Sequence, residues 1–148
     1  MANHMPYHVA DLDRTLGELR RVLVDGGRLV AVTNSVAHLG ELYGLMATKA
    51  GLKHWTRPTD RFTLEEQGTD LARHFDHVEV RHHCGELEVT AVALLMAYAR
   101  SMEALTGRNV TRESWEPLMD DFEAAVAARI ATDGAMRITV HAGAFVCW

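Results

Sequence analysis

The chain has 148 residues, 48% hydrophobic and 24% charged, with a formal net charge of −5. That length suits one domain with a real core. Scattered, outnumbered lysines and arginines argue against nucleic acid, and no apolar run approaches the roughly 20 residues that span a bilayer. The first residues, MANHMPYHV, lack the cationic start and long apolar core of a signal peptide, so a cytoplasmic protein is expected.

Asp11 is placed to cap a helix from Leu12 to about Leu23, with Leu12, Leu16, Leu19, Val22 and Leu23 on one face. Asp25-Gly26-Gly27 ends it, because glycine takes the left-handed conformation without steric cost. Leu29 to Thr33 is apolar at nearly every position, the pattern of a strand covered on both faces. A second helix is predicted over Val36 to Lys49, with Leu39, Leu42, Tyr43 and Met46 buried and Gly51 as its stop. Residues 52 to 61 read as a loop. Thr63 and Glu66 form a capping box for a helix from Leu64 to His74.

His77 to His83 alternates apolar and polar, which predicts a strand with one wet face or an edge position. Val92 to Leu105 is helical by its stripe of Val92, Leu95, Met96, Ala99 and Met102, and Gly107 breaks it. Thr111 caps a last helix with Trp115, Leu118, Met119, Phe122, Val126 and Ile130 inward, closed by Asp133-Gly134. Met136, Ile138 and Val140 alternate, Gly143 marks a bulge or bend, and Ala144 to Cys147 is apolar. Cys84 and Cys147 are expected to be free, small core residues. The alternation of helices and strands is an α/β pattern.

Three stretches carry a family resemblance: ANHMPYHVADLDRTLGELRRVLVDGGRLVAVTNS, HFDHVEVRHH and DGAMRITVHAGAFVC. Together they resemble the C-terminal half of a class I S-adenosylmethionine-dependent methyltransferase of the small-molecule type. The resemblance implies that the first stretch holds the end of the family's fourth strand, a helix and the fifth strand. The other two correspond to the sixth strand and the antiparallel seventh. The family sheet has the order 3-2-1-4-5-7-6, so the implied fold is a partial Rossmann-like sheet: a remnant of strand 4, then 5, 7 and 6, with flanking helices.

The family's cofactor rests on a Gly-rich loop after its first strand, and an acidic residue holds the ribose. Gly26-Gly27 precedes a strand, and no GxGxG-type loop follows one. The segment that lies mid-domain in the family starts here at residue 3. The expectation is therefore a methyltransferase half that lacks the cofactor-binding part and shows an open sheet edge. Such an edge favours pairing, with a second copy as a homodimer or with a complementing methyltransferase half. S-adenosylmethionine and a small-molecule acceptor would bind only when the missing loop is supplied. The alternative is a non-catalytic dimeric binding module built on the surviving half-sheet.

The resemblance places Asn3, His4, Tyr7 and His8 at the tip of the fourth strand, beside cofactor and acceptor. His4 and His8 are then the candidate bases, since imidazole exchanges a proton near neutral pH; the alternative is a purely structural terminus. Asn34 sits at the carboxyl end of a strand, where α/β sheets bind ligands, or caps the helix that follows. His74, His77, His82, His83 and Cys84 form a His-rich patch, but adjacent residues on a strand point to opposite faces, and no metal site is expected. Trp55, Trp115, Tyr43, Tyr98 and the methionines are candidates to line an acceptor pocket, but at helical spacing core is the favoured reading.

Overall fold

A computed structural model describes residues 1–105 and 109–148. The elements are β1 (Ala2–Asn3), α1 (Leu12–Arg21), β2 (Leu29–Asn34), α2 (Gly40–Lys49), α3 (Gly68–Ala72), β3 (Val78–Val89), α4 (Val92–Ser101), α5 (Trp115–Asp133) and β4 (Met136–Cys147), with three short 3-10 turns at Pro6–His8, Pro58–Arg61 and Glu103–Leu105. The strands form one mixed sheet in the order β1-β2-β4-β3. The fold is thus α/β, with a four-stranded mixed sheet and flanking helices, and is compatible with a Rossmann-like arrangement.

β1 lies parallel to β2, with Ala2 opposite Ala31 and Asn3 opposite Val32. β2 and β4 are antiparallel from Leu29–Cys147 to Asn34–Ala142. β3 follows β4 in the opposite sense, placing His82 by His141 and Glu88 by Arg137. β3 is an edge strand exposed at ten of its twelve residues.

The chain divides into two compact units: residues 1–38, 58–84 and 141–148 in the first, 39–57 and 85–140 in the second. In the first, Leu29 and Ala31 of β2 and Phe145 and Cys147 of β4 share one sheet face and pack against Leu16, Phe62, Leu71 and Phe75. Phe62 meets Phe145 edge-to-face, ring centroids 5.8 Å apart. The second unit has a separate core of α2, α4 and α5, centred on Trp115, Phe122, Met46 and Ala99. The stripes expected on these helices are the buried ones; within them, Tyr43, Val92 and Ile130 are only half-buried.

Several local expectations change. Helix α1 has its Asp11 cap, whose carboxylate accepts the Arg14 N–H at 3.0 Å, but ends at Arg21, so Val22 falls off the helical stripe and is 62% exposed. α2 starts at Gly40 rather than Val36. The intervening N–H groups find other partners: Val36 donates to Glu65, Ala37 to the Ser35 hydroxyl, His38 to the Ser35 carbonyl and Leu39 to the Thr139 carbonyl. The Thr63–Glu66 capping box does not form. Thr63 is drawn alongside Asn34 as an isolated bridge, and its N–H is taken by the Gln67 side chain, leaving α3 only five residues long.

β3 continues six residues past His83, through Cys-Gly-Glu-Leu-Glu-Val. α4 gives way to a 3-10 turn after Ser101; Gly107, expected to break this helix, lies outside the described residues. Thr111 does not cap α5, whose N-cap is Ser114; its hydroxyl accepts the Ser114 N–H at 3.3 Å in the turn before the helix. Gly143 makes no bulge, since the β2–β4 register is unbroken through Thr33–Gly143. The glycine is needed instead because a Cβ there would run into the Arg81 carbonyl and the Leu64 side chain. Cys147 is buried as expected, while Cys84 is exposed on β3.

Candidate functional site

The carboxyl ends of β1 and β2 lie at the same end of the sheet because the two strands are parallel. In open α/β sheets that end carries the ligands. β1 stops when His4 takes the left-handed conformation, φ 51°, while its N–H still reaches the Val32 carbonyl at 3.1 Å. Such a conformation is rare for residues other than glycine, and such outliers gather at functional sites. Pro6 is buried and opens a 3-10 turn that carries Tyr7 and His8. The Tyr7 ring centroid is 6.5 Å from that of His4 and 4.5 Å from that of His8. Burial pushes the Tyr7 hydroxyl above the usual tyrosine range. Asn3 and His8 are exposed, and His4 and Tyr7 half-buried.

Asn34 is the last residue of β2 and pairs with Ala142 on one side and Thr63 on the other. It does not cap α2, whose N-cap is Leu39. The segment through Thr63 therefore extends along the side of β2 that β1 leaves at His4, as the Leu64 N–H to Asn34 carbonyl bond shows. Thr63 is 2% exposed, and its hydroxyl has no partner among the described residues. A buried, unbonded hydroxyl costs about 1–3 kcal/mol and calls for an explanation.

Next to Asn34 stands a cluster the sequence reading missed. The buried Ser35 hydroxyl donates to Glu65 Oε1 at 2.6 Å, and the other carboxylate oxygen accepts the Val36 N–H at 3.1 Å. Burial alone would raise the Glu65 carboxyl, but these bonds and the nearby His141 outweigh it and hold it below the ordinary carboxylate range. Ser35 N–H donates to the His141 carbonyl at 2.9 Å, and His141 N–H donates to His38 Nδ1 at 3.2 Å. His141 Nε2 and His82 Nδ1 are 3.0 Å apart with ring centroids at 5.3 Å. Which nitrogen donates and which accepts is set by the tautomers of the two rings. No local signal marks this group: Ser35 and Glu65 are 30 residues apart, and His82 and His141 are 59 apart.

The His-rich patch is dispersed. His74 binds Asp13 at 2.8 Å, His77 stacks on Trp148, and His82 pairs with His141. Among the described residues no group of three or more His, Cys, Asp or Glu is placed to hold a metal. The turns after β1 (residues 4–11) and after β2 (residues 35–39) contain no glycine. No helix among them is long and apolar enough to cross a membrane. Compared with known proteins, the chain matches no protein-family model and no curated sequence.

Proposed function

We propose that this chain supplies the acceptor-side wall of a small-molecule methyltransferase whose donor-binding loop comes from a complementing segment. One observation carries the reading. The resemblance implied strands 4-5-7-6, with the seventh antiparallel, and the observed sheet has the order β1-β2-β4-β3, with β1 parallel to β2 and β4 antiparallel to it. Strand order is a long-range property that no local periodicity dictates.

On this reading Asn3, His4, Tyr7, His8 and Asn34 face the acceptor, and His4 and His8 are the groups that take its proton. Their work is alignment and proton removal. The donor contributes the methyl sulfonium chemistry when a Gly-rich loop holds it. The test is methyl transfer from labelled S-adenosylmethionine to a panel of small acceptors, by this chain mixed with a methyltransferase N-terminal half. Transfer in the mixture, reduced at least tenfold by His4→Ala or His8→Ala, supports the proposal. The absence of transfer and of labelled-cofactor binding in every combination rejects it.

A second reading rests on the sheet edges. β1 has only two residues and β3 is long and exposed, so backbone groups at both edges are open to pairing. A non-catalytic homodimeric module would use them. Light scattering decides: a dimer that binds no donor favours this reading, and a clean monomer at high concentration removes it.

A further inference from the structure

The second unit holds a pocket that neither reading uses. Its floor is Leu42, Leu95 and Ile138, all buried, and its rim is Leu87, Leu94 and Tyr98, which are 47%, 66% and 41% exposed. Three of the chain's exposed large hydrophobic side chains thus surround one concavity of about 200 Å³. Isolated exposed apolar residues need no explanation, but clustered ones around a hollow mark binding. The volume and the apolar lining limit the occupant to a small molecule about the size of one aromatic ring.

A second observation lies in the pocket wall. Leu39 lines it with φ 54°, a left-handed conformation that is a genuine outlier for a bulky residue. Three bonds hold it there. Leu39 N–H donates to the Thr139 carbonyl at 2.8 Å, and Glu41 accepts both the Thr139 N–H at 2.9 Å and its hydroxyl at 2.6 Å. Strain fixed this way belongs to sites whose shape matters. The polar feature of the rim is the Tyr98 hydroxyl, 3.4 Å from that of Tyr43.

We propose that this pocket binds a small aromatic molecule bearing one hydroxyl or similar polar group, its ring on the leucines and its polar atom at Tyr98. The inference is independent of methyl transfer. p-Cresol is the probe, titrated into the protein while the methyl resonances of Leu42, Leu95 and Ile138 are followed by NMR. Saturable shifts confined to pocket methyls are expected, with affinity weakened at least tenfold in Leu94→Glu and in Leu87→Glu. Both changes fall at exposed positions, and circular dichroism checks that each variant folds. Absence of saturable shifts, or equal affinity in the wild type and in whichever variants fold, overturns the proposal. So does a dimer that Leu94→Glu dissociates and p-cresol leaves intact, since the occupant is then a second copy.

Discussion

Thr33, Ser35, Thr63 and Gln67 are the buried polar residues among those described, and all four lie in the first unit. Every buried residue of the second unit is hydrophobic. Burying polar groups costs stability unless they are bonded, and three of the four are: Thr33 donates to the Phe62 carbonyl, Ser35 to Glu65, and Gln67 accepts from Thr63. A sequence seeking only stability would place apolar residues there, as the second unit does. The first unit spends stability on a polar strand end, which is where chemistry is expected; the second buries apolar side chains, with the Trp115 indole N–H unpartnered among the described residues.

Truncating each core should separate the units most strongly. Phe122→Ala and Phe145→Ala should each cost about 3–5 kcal/mol in urea unfolding, as both side chains are fully buried. Native-state hydrogen exchange should show protection falling first in the unit that carries the change. Equal loss across both units would mean that the division is geometric and not energetic.

Gly143→Ala comes next, at about 1–3 kcal/mol, because the added methyl meets the Arg81 backbone, which cannot rotate away. A neutral result would show that β3 can shift off β4 at this point.

The carboxylates compare the units on smaller scale. Glu65 in the first and Glu41 in the second are both held below the usual range; in each, burial opposes ionisation and hydrogen bonds from a hydroxyl and a backbone N–H prevail. A depressed carboxyl contributes stability above its unfolded pKa of about 4.3 and loses it as pH falls through the folded value. Glu65→Gln and Glu41→Gln should therefore each flatten the acid limb of the stability profile, and Ser35→Ala should cost about 1 kcal/mol at pH 7. An unchanged acid limb in both Gln variants would remove this assignment.

The smallest effect is chemical. Burial pushes the Cys147 thiol up to about 11, while Cys84 is exposed. A thiol reagent at pH 8 should modify Cys84 in the native protein and reach Cys147 only after unfolding. Early modification of both would mean that the first unit opens locally.

Reading the sequence worked where one element's own pattern decides the outcome. The Asp11 cap, the apolar stripe of α5 and the left-handed stops at Gly51 and Gly134 are local properties. It failed where tertiary partners intervened. Thr63-x-x-Glu66 is a sound capping signal, but pairing with Asn34 claimed Thr63 first. Gly143 reads as a bulge until Arg81 is seen behind it. At the candidate site Asn3 ends β1 and Asn34 ends β2, while Tyr7 and His8 stand on the 3-10 turn that follows β1. The Ser35–Glu65 and His82–His141 pairs were illegible, because each joins segments that the sequence keeps far apart.

The most direct test of the central proposal is isothermal titration calorimetry of S-adenosylmethionine, into this chain alone and into its mixture with a methyltransferase N-terminal half. The account predicts millimolar or weaker binding to the chain by itself and micromolar binding to the mixture. Micromolar binding to the chain alone, or none in either cell, would contradict it.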